Sequence, residues 1–173
     1  MTLDETIRAV PDWPIKGVIF RDITTLLNKP DAFKTACDRF YERYKDMDID
    51  KIVGIDARGF IFGPVLAYKM GLGFVPVRKL NKLPPPTIKM EYSLEYGKDA
   101  IEMRDDAILP GEKVLIIDDL IATGGTVNAT IQLVEKMGGK VVECAFLVEL
   151  PDLKGRELIK GYNVFALTEF EGD

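Results

Sequence analysis

Apolar residues recur along the chain in two rhythms. Between residues 31 and 46, Phe33, Cys37, Phe40 and Tyr44 fall at spacings of four, three and four, the period of one helix face. Asp31 stands before them as an N-cap. Ile52-Val53-Gly54-Ile55 predicts a short strand, and Gly59-Phe60-Ile61-Phe62-Gly63 opens a helix to about Met70 that Gly71-Leu72-Gly73 breaks. Phe74-Val75-Pro76-Val77 is the next strand. Lys113-Val114-Leu115-Ile116-Ile117 carries the continuous apolar run of a strand covered on both faces. A helix from about Gly125 to Met137 ends at Gly138-Gly139, and Lys140–Leu150 and Asn163–Leu167 complete the strands.

Strands alternating with helices predict an α/β fold, a central parallel sheet flanked by helices, spanning 1–173 as one domain. Residues 91–104 break the alternation. Tyr92, Leu94 and Tyr96 alternate with polar residues, and Gly97-Lys98-Asp99 reads as a turn into a second alternating run. The expected element is a hairpin inserted between the parallel strands.

Composition narrows the chemistry. With 47% apolar and 29% charged residues the chain is of globular type. Its apolar runs fall short of the roughly 20 residues that cross a bilayer. Met1–Glu5 has neither a basic region nor an apolar stretch. A cytoplasmic location with no membrane partner is therefore expected. Cys37 and Cys144 lie in apolar segments and are expected to be buried and unpaired. The absence of histidine excludes a Ser-His-Asp triad, a Cys-His pair and the common zinc sites. A net charge of −5 argues against a protein built to grip nucleic acid. Acid–base work falls to carboxylates, lysine, tyrosine or the substrate.

The most informative stretch runs from Val114 to Thr126. A buried strand leads into Asp118 and Asp119, then into a turn of Ala122, Thr123, Gly124, Gly125 and Thr126, then into a helix. Gly124 and Gly125 permit backbone angles at which several N–H groups converge, and the helix N-terminus adds its own unpaired N–H groups. Such a turn holds a phosphate without lysine, while the two acids can accept hydrogen bonds from ribose hydroxyls. Thr-Gly-Gly-Thr alone is equally compatible with a tight turn, and paired acids after a strand also occur in receiver domains and as nucleotidase metal ligands. G-x-G-x-x-G and the Walker loop are both missing.

This thirteen-residue segment resembles the phosphoribosyl-pyrophosphate signature of the type I phosphoribosyltransferases. From about Asp12 to Phe170 the chain is similar to the members of that family that act on adenine. Gly17–Thr24, Asp56–Phe60, Val75–Lys79 and Tyr92–Lys98 supply further matching pieces. The resemblance implies the type I phosphoribosyltransferase fold, with a small N-terminal hood (about 1–30) and a hairpin lid (about 83–106). It also implies Mg²⁺-dependent transfer of the 5-phosphoribosyl group from 5-phosphoribosyl 1-pyrophosphate to adenine, giving AMP and pyrophosphate, in a homodimer. The ribose 5-phosphate would be bound by Asp118, Asp119 and residues 122–126.

Open parallel sheets bind ligands beyond the C-terminal ends of their strands. Three such ends carry polar residues here: Asp56-Ala57-Arg58-Gly59, Arg78-Lys79, and Asp118 onward. Arg78, Lys79, Lys82 and Lys89 form a run of four cations without an acid, which alone reads as a solvated basic loop. The resemblance makes Asp56, Ala57, Arg58, Arg78, Lys79 and Lys82 a pyrophosphate site. It implies a cis peptide between Asp56 and Ala57, and it places Arg78 near the neighbouring subunit's pyrophosphate. Mg²⁺ would be held more by substrate and water than by protein.

On their own, Phe20 reads as core and Arg21 as a surface ion-pair partner. The resemblance turns Ile19, Phe20 and Arg21 into the hood over adenine, with Phe20 stacking on the ring. Glu95 alone reads as an exposed carboxylate. By resemblance it accepts the adenine N9 proton, with Tyr96 closing over the reacting centre and Arg58 among the catalytic groups. Three prolines after Leu83 (Pro84-Pro85-Pro86) depart from the family pattern, which usually has a small residue there. The rival activities are transfer to a 6-oxopurine or orotate, and a regulator that senses phosphoribosyl pyrophosphate without catalysis.

Overall fold

The computed structural model describes residues 1–94 and 97–172. Its main sheet has seven strands: β3 (Lys51–Ile55), β4 (Gly73–Lys79), β5 (Thr87–Leu94), β6 (Gly97–Arg104), β7 (Lys113–Ile121), β8 (Lys140–Glu149) and β9 (Val164–Glu169). Their spatial order is β5-β6-β4-β3-β7-β8-β9. Strands β4, β3, β7, β8 and β9 run parallel, while β6 joins β4 and β5 joins β6 in antiparallel fashion. β1 (Arg8–Pro11) and β2 (Ile19–Asp22) form a separate two-stranded sheet near the N-terminus.

Period-two alternation on the central strands feeds two cores. Leu115 and Ile117 of β7 face one way and join Phe40 and Tyr44 of α2 (Pro30–Tyr44) and Phe62 and Leu66 of α3 (Gly59–Met70). Val114 and Ile116 face the other way and join Val127, Ile131 and Leu133 of α4 (Gly125–Lys136). A strand that must be apolar on both faces reads as a continuous apolar run, as β7 does. The remaining helices are short: α1 (Thr24–Leu27) precedes α2, and α5 (Gly155–Leu158) follows β8. No helix among the described residues is long and apolar enough to cross a membrane.

The structure corrects four details of the sequence reading. Helix α2 begins at Pro30 with Lys29 at the N-cap position, so Asp31 lies in the first turn; proline suits that first position because its missing N–H would have no helical partner anyway. Strand β7 continues to Ile121, which places Asp118 and Asp119 within the strand rather than beyond it. The hairpin begins at Thr87, and its strands pair from Thr87 with Arg104 up to Leu94 with Gly97. Gly97, Lys98 and Asp99 are therefore part of β6, and the hairpin extends the edge of the sheet beside β4 instead of splitting it.

Both cysteines are buried and free. Burial pushes the Cys37 thiol up to about 11 and the Cys144 thiol up to about 12, which keeps both protonated and unreactive.

One buried charge ties the second layer to the sheet. Glu143 of β8 receives hydrogen bonds from Arg43 Nε and Nη2 at 2.7 and 2.9 Å and from Tyr44 Oη at 2.5 Å. The Arg43 guanidinium also stacks on Phe165, 3.9 Å from the ring centroid. Burial raises the pKa of Glu143, but the hydrogen bonds from Arg43 and Tyr44 outweigh it and leave the carboxyl below its ordinary value. A depressed folded-state pKa contributes stability that is present above the unfolded value of about 4.3 and is lost as pH falls through the folded value. Glu143→Ala is expected to destabilise the fold by about 2–3 kcal/mol at neutral pH, because Arg43 and Tyr44 lose their shared partner. Urea unfolding of the two proteins should show this gap at pH 7 and a narrower one well below pH 4.

Candidate active site

The strand order reverses direction between β3 and β7. From β3 the chain crosses through α3 on one face to β4, and from β7 through α4 on the opposite face to β8. The crevice outside the C-terminal ends of two such strands is the place where an open α/β sheet is able to hold a ligand between diverging loops. A cavity of about 270 Å³ occupies it.

Two loops form most of its wall. The loop after β3 contributes Asp56, Ala57 and Arg58, and the Asp56–Ala57 peptide is cis, as the resemblance implies. The loop after β7 contributes Ala122, Thr123, Gly124, Gly125 and Thr126 at the start of α4. Asp118 and Asp119 line the floor, and Lys79 enters from the end of β4. The close approach of the start of α3 to β7 depends on Gly59 at the first position of α3. A Cβ built there would stand 2.9 Å from the Ile117 carbonyl oxygen and 3.2 Å from Asp118 Oδ1.

Gly124 is the residue of the second loop that the backbone requires to be glycine. It has φ +88°, the left-handed region that side-chain-bearing residues avoid. Gly125 opens α4 outside that region, and a Cβ there would meet only Tyr92 Cδ2 at 3.6 Å and the Ser93 carbonyl at 3.9 Å. The expectation that both glycines supply unusual angles is thus corrected to Gly124 alone. The turn at Gly124 and the first turn of the 12-residue α4 line the cavity with no side-chain cap on the helix, the setting in which helix N-terminal N–H groups lack an intrahelical partner.

The acids on the floor are not left as two unpaired charges. Arg58 Nε donates to Asp119 Oδ2 at 2.5 Å, and Asp119 is buried. Burial opposes the Arg58 charge, but Asp119 more than offsets it and raises the guanidinium pKa further. Burial, and then the Asp119 charge beside it, push the Asp118 carboxyl well above the ordinary carboxylate range. Asp118 Oδ1 also accepts the backbone N–H of Asp119 at 2.7 Å. One acid is paired with arginine and the other is held above the ordinary carboxylate range, so the cavity floor repels an anion less than two unpaired carboxylates would.

The cations of the Arg78–Lys89 run divide. Lys79 Nζ hydrogen-bonds to Tyr92 Oη at 2.9 Å and Asp99 Oδ2 at 2.5 Å, both on the hairpin. Burial works against the ammonium, yet these bonds hold its pKa above the ordinary lysine value. Arg78 and Lys82 stand outside the cavity lining. Arg78 turns to Asp56 Oδ2 at 3.2 Å and to the Lys82 carbonyl at 3.4 Å, while the Lys82 side chain is exposed. Arg78 is turned onto Asp56 and Lys82 is exposed, so the single chain does not gather all six expected pyrophosphate residues on the lining. In the three-proline segment the Pro85–Pro86 bond is cis, and Arg104 Nη1 holds the Pro84 carbonyl at 2.8 Å.

Ile19, Phe20 and Arg21 lie on β2 of the small sheet, outside the cavity lining. Phe20 packs edge-on to Trp13 with ring centroids 4.7 Å apart. The Arg21 guanidinium lies 4.2 Å from the Phe170 ring. Phe170 directly follows β9 and donates its N–H to the Glu149 carbonyl at the end of β8. The hood therefore sits at the same C-terminal edge of the sheet as the two loops. Glu95 and Tyr96 lie outside the described residues. Sequence reasoning missed Phe146, Val127 and Ile55, apolar residues that complete the wall; their positions on β8, α4 and β3 give no signal beyond core.

Comparison with known proteins agrees with this geometry. Residues 22–172 match the phosphoribosyl transferase domain model. The adenine phosphoribosyltransferase of Desulfosudis oleivorans is 66% identical over 173 residues, covering all of both chains. The solved structure of the adenine phosphoribosyltransferase of Thermoanaerobacter pseudethanolicus superposes with a TM-score of 0.93 at 46% identity, over 98% of this chain and 100% of that one. The enzyme of the same name from Saccharomyces cerevisiae, solved with an iminoaltritol bisphosphate and adenine, gives 0.90 at 41% identity, over 95% and 96%. The chain belongs to the phosphoribosyltransferase family, on the branch of the adenine phosphoribosyltransferases.

Proposed function

We propose that the chain transfers the 5-phosphoribosyl group of 5-phosphoribosyl 1-pyrophosphate to adenine, releasing AMP and pyrophosphate in purine salvage. The observation that carries this reading is the convergence of the Gly124 turn, Asp118–Asp119 and the cis Asp56–Ala57 loop on one polar cavity at the sheet's switch point. The Saccharomyces cerevisiae relative was solved in complex with an iminoaltritol bisphosphate and adenine.

In this reading residues 122–126 take the 5-phosphate on backbone N–H groups, and Asp118 and Asp119 orient the ribose hydroxyls. Ala57, Arg58 and Lys79 face the pyrophosphate. As the bond from C1 to the pyrophosphate oxygen breaks, the electron pair leaves with pyrophosphate and positive charge builds on the sugar ring. Adenine N9 forms the new bond to C1 and gives its proton to Glu95, with Tyr96 over the centre. Cations placed where the leaving charge develops stabilise the transition state more than the bound substrate. Ile19, Phe20 and Arg21 supply the hood over the base.

A divalent ion fits this donor set. Among the described residues no cluster of three or more histidine, cysteine or acidic side chains forms a protein cage. Asp118 and Asp119 offer two oxygen-bearing groups beside the space for a phosphorylated sugar. That suits Mg²⁺, which retains water and binds through substrate oxygens. When bound, it would neutralise part of the pyrophosphate charge.

A homodimer belongs to the same reading. Arg78 stands outside its own chain's cavity, which supports its use by a neighbouring subunit. Two free buried thiols suit the reducing cytoplasm.

Assayed side by side with phosphoribosyl pyrophosphate and Mg²⁺, adenine should be consumed, and hypoxanthine, guanine and orotate left. Turnover of orotate or a 6-oxopurine in its place would replace the assigned base, and no turnover of any would favour the sensing regulator. Glu95→Gln should lower kcat about 10²-fold or more with little change in the adenine KM, as for loss of a positioned proton acceptor. An unchanged kcat would remove Glu95 from its role.

A further inference from the structure

Gly155 lies outside the cavity lining, yet a side chain there would strike the loop that forms one wall of it. It opens α5 directly after Lys154, whose φ of +58° swings the chain back toward the sheet edge. A Cβ built on Gly155 would stand 2.5 Å from the Ala122 carbonyl oxygen and 2.8 and 3.0 Å from Cγ1 and Cδ1 of Ile121. From the opposite side, a Cβ on Gly124 would stand 2.8 Å from the Gly155 carbonyl oxygen. The two glycines thus let backbone rest on backbone. The first contact is too short for any side chain to share, and the atom it would displace belongs to the loop itself.

The supporting segment is fastened at both ends. Arg156 donates through Nε and Nη2 to the buried Glu149 carboxylate of β8 at 2.7 and 2.8 Å, and through Nη1 to the Val164 carbonyl of β9 at 3.1 Å. Leu150 donates its N–H to the Ile121 carbonyl at 3.0 Å, joining the start of the segment to the end of β7. A two-pronged arginine–carboxylate contact fixes direction as well as distance. The next residue along from Arg156 toward the cavity is Gly155.

We propose that Gly155, fixed by the Arg156–Glu149 pair, is a positioning residue that holds the 122–126 loop in the shape that receives the sugar phosphate. It rests on the proposed reading of that loop as the phosphate site. The loop binds through backbone N–H groups, which have no side-chain freedom with which to recover from a displacement. A shift of the Ala122 carbonyl by a few tenths of an ångström therefore turns the donors that follow it. The effect falls on the sugar-phosphate end and not on the pyrophosphate end, whose residues come from β3 and β4.

Calorimetric titration with ribose 5-phosphate and, separately, with pyrophosphate tests this on the full chain. Gly155→Ala should weaken ribose 5-phosphate about ten-fold or more, in line with the cost of small misplacements in a preorganised site. Pyrophosphate affinity should stay within about two-fold, as for a site that shares no contact with the change. In turnover, the KM for phosphoribosyl pyrophosphate should rise more than kcat falls. Arg156→Gln should weaken ribose 5-phosphate in the same direction, and Arg156→Lys should recover part of the loss. Equal affinity of Gly155→Ala and the parent chain for ribose 5-phosphate, or an equal loss of both ligands, overturns the proposal. If Gly155→Ala does not fold, the Arg156 pair decides by the same outcomes. A parent chain that binds no ribose 5-phosphate would instead reject the phosphate reading of the loop.

Discussion

Two neighbouring parallel strands, β3 and β7, send their chains to opposite faces of one sheet, and the rest of the site depends on that divergence. A loop that turns up and a loop that turns down leave a gap that neither can fill, and the gap lies where strand ends meet the N-termini of α3 and α4. The apolar faces of β7 cement the arrangement from both sides. Leu115 and Ile117 fix α2 and α3, and Val114 and Ile116 fix α4. The walls of the cavity are the ends of core elements.

An acidic protein that binds a polyanion must discharge its own acids locally. Here Arg58 covers Asp119, and burial with a charged neighbour pushes Asp118 toward its neutral form. In the proposed binding mode the donors facing the anion are mainly backbone N–H groups, which carry no counter-charge to be stripped and no rotamer to be frozen. Net charge of −5 is then no obstacle, because long-range repulsion is screened over about 10 Å at moderate salt while the local field is set by groups within the cavity.

Most of the fold was legible in the sequence because its strands are either doubly buried or bounded by glycine. Helix α3 was read with the observed limits, Gly59 to Met70, since Gly71 ends it in the left-handed region. The length of β7 was not legible: Asp118 and Asp119 look like the end of an apolar strand, yet the backbone pairs on through Ile121 with β8. The turn at residues 122–126 was legible as a motif, but the unequal demands on Gly124 and Gly125 depend on φ, which residue type does not reveal. Arg78 and Lys82 read as members of one cationic cluster with Lys79, and what separates them is their partners: Arg78 turns to Asp56, Lys79 to Tyr92 and Asp99, and the Lys82 side chain is exposed. The burial of Glu143 within β8 was not read from the sequence; it follows from Arg43 and Tyr44, a hundred residues away in the chain.

Lys79 shows how such separations matter to chemistry. Its ammonium has three donors, and on the described residues Tyr92 and Asp99 take two of them. Both partners come from the hairpin, facing each other across β5 and β6. An anion in the cavity can claim the third donor without breaking either bond. Lys79 then touches anion and hairpin at once, and the charge of the ligand is felt by the strands that lead to residues 95 and 96. Proximity along β4 alone could not have singled out Lys79 over Arg78. What distinguishes it is an acid and a phenol on the opposite strands, spaced by the hairpin register to meet one ammonium.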